Sequence, residues 1–374
     1  MEKKKEEEEE RLKTRGGRVF EAQSSLLMPL FPLYLYRGMW KSGTIICIFV
    51  GVFAYYSSLN YEQKEAKNRM SMALPRHVIW KSEGLVAYLH PRPWTSGSLI
   101  LERSTPGSPG GSIFHLEKQE FLSWLLGARV VSEILCDKMA VQRCALVSRP
   151  KRDRPAQIYI LPLHGLHAKW RPHLAGEEEH NTHDPGYCTS KTAARWSDSS
   201  LTDIQAKIRA KLPQPDAPYN LTFLGDDPAH PGLFSRIVRG EEQQWRVWED
   251  DGHVAFLTPF PNSPGFTVLV PRRPLTSDIF RLEKRDYEEL VLAALKVAKL
   301  LEESLSAWGV GLIFEGFEID YAHAKLIPLF LPPSDRSKLS PEFYPTYPGY
   351  VTSEDGPEAS QETLKELYTK ITQT

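Results

Sequence analysis

The sequence predicts an α+β fold made of two similar units, each an antiparallel sheet with one or two helices, which pair as a pseudo-dimer within one chain. Two observations lead to this prediction. The chain repeats itself along its length, and each repeat combines strand-like alternation with one helical apolar stripe. With 374 residues, the chain is long enough for two units of ordinary size and an extension.

The internal repeat consists of four pairs of similar segments that follow one another in the same order. The pairs are 79–89 (IWKSEGLVAYL) with 247–257 (VWEDDGHVAFL), 112–118 (SIFHLEK) with 278–284 (DIFRLEK), 157–163 (QIYILPL) with 323–329 (HAKLIPL), and 185–190 (PGYCTS) with 348–353 (PGYVTS). The spacing is 168 residues in the first pair and 166 in the next two. The repeat predicts a tandem duplication, with an extension at 1–72, a first unit at 73–212 and a second at 213–374.

Within the second unit, apolar residues predict five strands around one helix. The predicted strands are 244–249, 254–257, 266–271, 312–317 and 321–329. The helix is predicted from apolar residues that recur at helical spacing between Tyr287 and Leu301. Strands with a helix packed on one face are typical of an α+β unit.

The extension and the composition bear on location. Residues 42–61 pass twenty positions without a charge, which is about the length that crosses a hydrocarbon core. This segment therefore either anchors the chain in a membrane or forms a buried or irregular extension. Four cysteines without CxxC spacing favour a reducing compartment, and hence a cytoplasmic protein unless 42–61 is an anchor. A net charge of −1 gives no indication of nucleic-acid binding.

Three side chains near the end of the second unit suggest phosphate chemistry. Tyr321, His323 and Lys325 are two residues apart, so on a strand they point to one face. A neutral imidazole is a competent nucleophile near pH 7, and an adjacent ammonium group can neutralise charge on phosphoryl oxygens.

The segment DYAHAKLIPL (320–329), preceded by FLTPFPNSPGFTVLVPRR (256–273), resembles the histidine triad (HIT-like) family, in which three histidines alternate along one strand. The family pattern falls on Tyr321, His323 and Lys325, so only the central histidine is kept. In the first unit it falls on Pro155, Gln157 and Tyr159, and the motif is lost. The resemblance covers about residues 76–210 and 233–372. It implies a HIT-like fold for both units, a nucleotide ligand and a nucleophilic role for His323.

These expectations lead to a nucleotide phosphohydrolase or nucleotidyltransferase that works through a nucleotidyl-histidine at His323. Its substrate would be a dinucleoside polyphosphate or a nucleoside phosphate ester or amidate. Lys325 and Tyr321 would assist the reaction, no bound cofactor is required, and Mg²⁺ would arrive with the substrate. The alternative is a non-catalytic nucleotide-binding or scaffold protein of the same fold, because both outer histidines are absent.

Five further residues are candidate nucleotide-binding groups, each with a structural alternative as packing, turn or surface residue. They are Glu315, Asp320, Thr258, Asn262 and Arg272. Five histidines between His164 and His183 lie in a stretch that reads as an irregular surface loop, so the sequence predicts no metal site there.

Overall fold

The computed structural model describes residues 76–82, 84–105, 111–331 and 340–373, which all lie within one compact unit, Arg76–Thr374. The candidate membrane segment 42–61 lies outside the described residues. Within the described part of the chain, no helix combines the length and the apolar character that a membrane crossing requires.

The described strands form one antiparallel sheet of ten strands, which confirms the α+β prediction. The strands are β1 Val78–Ser82, β2 Leu85–Leu89, β3 Leu99–Arg103, β4 Cys144–Ser148, β5 Ile158–Pro162, β6 Trp245–Glu249, β7 His253–Leu257, β8 Thr267–Pro271, β9 Gly309–Phe314 and β10 Ala324–Leu329. Their order across the sheet is β1-β2-β3-β5-β4-β9-β10-β8-β7-β6.

The two halves of this sheet follow the same strand order, read outward from the centre. At the centre β4 pairs antiparallel with β9, with Val147 opposite Ile313. These two positions are separated by 166 residues, the spacing of the sequence repeat. Because the halves join edge to edge, only β1 and β6 remain as edges of this sheet, and fewer backbone groups are left unpaired.

Five α-helices accompany the sheet in the described residues. They are α1 Lys118–Met139, α2 Asp198–Arg209, α3 Leu233–Arg239, α4 Lys284–Leu305 and α5 Gln361–Thr372. Both long helices, α1 and α4, have 22 residues. Each ends at a residue in the left-handed conformation, Ala140 with φ 54° and Ser306 with φ 55°. The predicted apolar stripe of α4 is buried against the sheet.

Side chains of β10 alternate between the two faces of the sheet. Ala324 and Leu326 belong to the apolar core beneath α1 and α4. Ile327 and Leu329 belong to a second apolar cluster on the opposite face, which irregular segments and α3 cover. This alternation decides which face each candidate site residue reaches.

The chain that follows the last strand of each half packs against the other half. Helix α2 follows β5 but packs against β6 and α4, whereas α5 follows β10 but packs against β1 and α1. The segments that follow β5 and β10 are called the exchanged segments, and they meet at a β-bridge between Thr189 and Thr352. There, the backbone N–H of Ser190 donates to the Val351 carbonyl at 3.0 Å. Each half is therefore completed by residues from the other.

Two predicted strands of the second half differ from those observed. The strand predicted at 321–329 begins at Ala324, because the Tyr321 carbonyl is bonded by a side chain instead of a neighbouring strand. The strand predicted at 312–317 covers 309–314 and ends before Gly316, whose φ of +82° does not continue a strand.

Candidate functional site

Tyr321, His323 and Lys325 lie on the sheet face opposite the long helices. Tyr321 packs in the same apolar cluster as Ile327, so the odd-numbered residues share one side, as predicted. All three side chains are buried, with exposed fractions of 1%, 4% and 4% respectively. The predicted row exists, but it lies under other parts of the chain.

The imidazole of His323 is held in one orientation by the backbone. Its Nδ1 lies 2.7 Å from the Tyr321 carbonyl oxygen, which can only accept a hydrogen bond. Burial, and then the neighbouring Lys325 ammonium, lower the pKa of His323 to about 4, so the ring is neutral at pH 7. The single ring proton is therefore on Nδ1. Nε2 keeps its lone pair and has no hydrogen-bond partner among the described residues.

Phe234 covers this imidazole. It belongs to α3 and makes edge contacts with the rings of both His323, at 5.4 Å between centroids, and Tyr321, at 5.6 Å. Phe234 was not predicted from the sequence, because α3 has no counterpart among the four repeated segments. Its ring contributes to the burial of the His323 side chain, which is 4% exposed.

Lys325 lies between two carboxylates. Its Nζ is 3.3 Å from Glu315 and 3.1 Å from Glu318. Burial opposes the charge of Lys325, but these two carboxylates outweigh it and raise the pKa of Lys325. The Lys325 charge in turn lowers the pKa of Glu318. Glu315 was a candidate from the sequence, whereas Glu318 was not, since it lies in an irregular segment.

Glu315 links this site to the exchanged segments. Its Oε1 accepts hydrogen bonds from the Ser190 hydroxyl at 3.0 Å and the Tyr347 hydroxyl at 2.5 Å. Ser190 belongs to the PGYCTS segment of the first half, so the first half supplies a direct contact to the site of the second. The repeat drew attention to that segment, but only the fold shows which half it reaches.

Tyr321 is engaged as a donor. Its hydroxyl donates to the Pro271 carbonyl at 2.9 Å, and burial raises its pKa above the usual value. A phenol in this state does not release a proton near neutral pH. Tyr321 therefore packs beside His323 and fixes the strand, without acting as an acid.

Arg272, a candidate phosphate ligand, has a fully buried side chain. Its guanidinium donates to the Asn220 and Asp250 carbonyls at 2.7 and 2.8 Å and pairs with Glu249 at 3.0 Å. These contacts engage the guanidinium within the protein, and they connect the end of β8 to the chain before α3.

The other three candidates are not bonded to His323 or Lys325. Asp320 accepts a hydrogen bond from the Ser277 hydroxyl at 2.7 Å. Asn262 donates from its amide nitrogen to the carbonyls of residues 189 and 191 in the exchanged segment. The hydroxyl of Thr258 accepts from a backbone N–H within its own turn. The structure thus brings together Tyr321, His323, Lys325 and Glu315, with the remaining candidates around them.

At the matching place in the first half, Gln157 stands where the second half has its histidine. The Gln157 amide nitrogen donates to Glu102 at 2.7 Å, and its amide oxygen accepts from Lys151 at 3.1 Å. Both ends of this amide are occupied, and an amide is a poor nucleophile. In the described part of the chain, no three or more His, Cys, Asp or Glu side chains are placed to hold a metal ion.

Comparisons with known proteins find similarity to HIT-like proteins. The HIT domain model matches residues 239–319, a range that ends just before Tyr321. An uncharacterized HIT-like protein of Saccharolobus solfataricus is 26% identical over 124 residues, which cover 30% of this chain and 88% of that protein. An uncharacterized HIT-like protein of Mesomycoplasma hyorhinis is 26% identical over 103 residues, covering 26% and 92%.

Among solved structures, a uridylyltransferase aligns with a TM-score of 0.40 and 13% identity over 78% of this chain and 86% of that one. Residues 239–319 match the HIT domain model, and the chain is similar to HIT-like proteins over part of its sequence.

Proposed function

We propose that the second half is a nucleotide-processing unit of the HIT type in which His323 Nε2 attacks a nucleotide phosphate. The observation that carries the proposal is the orientation of the ring. The Tyr321 carbonyl fixes the proton on Nδ1, and the lowered pKa of His323 keeps the ring neutral. The atom left without a partner is therefore the one that carries a lone pair.

In the proposed reaction, the first step forms a bond between Nε2 and phosphorus and breaks the bond from phosphorus to the leaving group. The electron pair of the broken bond leaves with that group. The ring becomes cationic, because Nδ1 keeps its proton and continues to donate it to the Tyr321 carbonyl. Water in a hydrolase, or an acceptor hydroxyl in a transferase, then bonds to phosphorus and loses its proton to solvent. The bond from phosphorus to Nε2 breaks, its electron pair returns to Nε2, and neutral His323 is restored.

Lys325 would bind the phosphoryl oxygens by exchanging one carboxylate for the substrate. Glu318 is the partner that exchanges, because its side chain is about one third exposed, at 34%, whereas Glu315 is buried. Glu315 keeps Lys325 charged throughout. A cation already in place costs little reorganisation when charge develops on the phosphate.

The state of Tyr321 narrows the proposed substrate class. Since its hydroxyl is bonded to a carbonyl and its pKa is raised, no acid on this strand protonates a leaving group. Substrates whose leaving group departs as a stabilised anion are therefore favoured. Dinucleoside polyphosphates meet this requirement better than amidates, whose amine must gain a proton.

We also propose that the two halves form a pseudo-dimer that arose by duplication. The common strand order and the pairing of Val147 with Ile313 support it, as do the exchanged segments that meet at Thr189 and Thr352. In this arrangement, the first half completes the sheet and supplies Ser190.

The test is turnover of diadenosine tetraphosphate by the full chain. Wild type should cleave it and, after rapid acid-free quenching, show a mass increase of one nucleotidyl group on His323. His323→Ala should lose turnover and the adduct while retaining nucleotide binding. Gln157→Ala, at the matching place in the first half, is the control and should leave turnover unchanged. Turnover that survives in His323→Ala would contradict the proposal.

A second function, nucleotide binding without turnover, is favoured by the Phe234 contact. This ring covers His323, which is only 4% exposed, so an attacking geometry requires α3 to move. Binding by wild type without product or adduct would support this function. Phe234→Ala distinguishes a closed enzyme from a binding protein, because uncovering Nε2 should produce turnover only in the former.

A further inference from the structure

A cavity of about 310 Å³ lies on the helix side of the sheet, on the face opposite His323. It is lined by the first residue of β7, His253, by the end of β8 and by the first turns of α4. Alternation along β7 places His253 on the same side as Ala255, which belongs to the core beneath the helices. The volume of the cavity is at the lower end of the range for small-molecule sites.

His253 presents an unpartnered ring nitrogen at this cavity. The side chain is buried, and its Nδ1 lies 3.2 Å from the Asp250 carboxylate. The same Asp250 oxygen also accepts the backbone N–H groups of Gly252 and His253, at 2.9 and 2.8 Å, which fixes it in place. Since a carboxylate oxygen only accepts, Nδ1 donates to Asp250, and Nε2 is left without a partner within the described ranges.

The rim of the cavity carries two guanidinium groups. Arg273 pairs closely with Asp286, and Arg285 pairs with Glu289 at 2.7 Å. The Arg285 and Glu289 side chains are 86% and 47% exposed, so solvent screens their attraction and Arg285 is readily released to another anion. The lining also includes the apolar side chains of Leu224, Leu275 and Leu290.

The matching place in the first half carries different residues. Leu85 opens β2 opposite Arg103 in the same register in which His253 opens β7 opposite Pro271. At the helix position 166 residues before Leu290, the first half has Trp124, which is buried. Leucine and tryptophan occupy these positions in the first half, whereas histidine and leucine occupy them in the second. The buried imidazole is thus not a requirement of the fold.

We propose that this cavity binds a small hydroxylated organic anion. Its phosphate or carboxylate group would bind Arg285, with Arg273 beside it, and its hydroxyl would form a hydrogen bond with His253 Nε2. The carbon chain would lie on the three leucines. This site goes beyond the proposed nucleotide function, because it uses no residue of the His323 row and lies on the other face of the sheet.

Isothermal titration calorimetry of the full chain with sn-glycerol 3-phosphate tests the proposal. Inorganic phosphate, which has the anion alone, and glycerol, which has the hydroxyls alone, are the comparison probes. The variants are Arg285→Gln and His253→Leu, the latter taking the residue at the matching place of the first half. Lys284→Gln is the matched control, since it removes one exposed charge from the same helical turn but does not line the cavity.

Wild type should bind glycerol 3-phosphate more tightly than either comparison probe. Arg285→Gln and His253→Leu should each weaken binding at least tenfold, whereas Lys284→Gln and His323→Ala should change it less than twofold. In ¹⁵N spectra of the wild type, the His253 Nε2 resonance should shift on binding. Because Arg285 is exposed, its variant decides the question even if His253→Leu does not fold.

Three results would overturn the proposal. The first is an absence of binding by wild type, and the second is equal binding by Arg285→Gln and Lys284→Gln. The third is loss of binding in His323→Ala, which would assign the probe to the nucleotide face.

Discussion

Gln157 and His323 stand at matching places in the two halves, yet their surroundings differ in one decisive respect. Every polar group of Gln157 is bonded within the protein, whereas Nε2 of His323 is left without a partner among the described residues. The surrounding strands have the same order in both halves. The comparison teaches that the fold sets the place of a site, while a few side chains decide whether chemistry is possible there.

The sharpest test of this comparison is to exchange the two residues. His323→Gln should reduce turnover of diadenosine tetraphosphate by roughly 10³-fold or more, because an amide cannot form the nucleotidyl intermediate. Adding Gln157→His should not restore it, since Glu102 and Lys151 would bond the new imidazole. Steady-state rates of the single and double variants measure this. Recovery in the double variant would mean that the first half keeps a working site.

The second test concerns the arginine that only one half possesses. The backbone N–H of Arg272 donates to Gly252, as that of Ser104 donates to Gly84, so the two residues hold matching places. Arg272→Met should destabilise the protein by about 2–4 kcal/mol, because it removes the donor of the Asp250 carbonyl and one of the two guanidinium groups paired with Glu249. Urea unfolding measures the loss. Arg273→Met, which removes a half-exposed neighbour, should cost less than about 1 kcal/mol.

The third test uses a histidine from each half. Burial lowers the pKa of His90 and of His323 to about 4, whereas the unfolded value is 6.5. Between these values the unfolded state binds more protons, so stability must rise with pH across this window and fall on acidification. Each histidine should contribute a loss of about 2 kcal/mol between pH 7 and pH 5.

Urea unfolding at the two pH values checks this expectation. His90→Gln and His323→Gln should each flatten the pH dependence by a similar amount, irrespective of their effect on stability at pH 7. An unchanged pH dependence in either variant would mean that the corresponding imidazole is not neutralised by burial.

The smallest expected effect concerns the contact of the exchanged segment with Glu315. Tyr347→Phe should destabilise the protein by about 1.5–2 kcal/mol, since it removes a hydrogen bond to a buried carboxylate. Tyr350→Phe is the control, because its hydroxyl donates to the neutral Tyr344 hydroxyl, and should cost about 1 kcal/mol or less. Equal losses would indicate that the charge of Glu315 is not held through this bond.

Much of the fold was accessible from the sequence because it depends on local pattern. The strands predicted at 254–257 and 266–271 agree with β7 and β8 to within one residue, since apolar alternation reports burial directly. The shared face of His323 and Lys325 follows from the same rule. Tandem duplication stays a prediction, with the matching strand orders in its favour.

The parts that escaped prediction depend on contacts between distant segments. Phe234 and Ser190 reach the site from elsewhere in the chain, and neither residue type signals such a role. Arg272 was expected at a phosphate because a pattern cannot tell a buried arginine from an exposed one. Glu318 lies outside regular structure, where periodicity gives no direction.

The exchange of segments between the halves determines when, during translation, each half can complete its fold. When residues 163–209 leave the ribosome, the strands that they will cover have not yet been made. The first half completes its fold later still, because α5, which packs against it, is translated after every strand. Tyr344, which contacts Trp94, is also translated after the last strand. The two halves therefore cannot complete their folding one after the other during translation. Nascent polypeptides would expose apolar surface until translation has passed α5, and should engage chaperones for that interval.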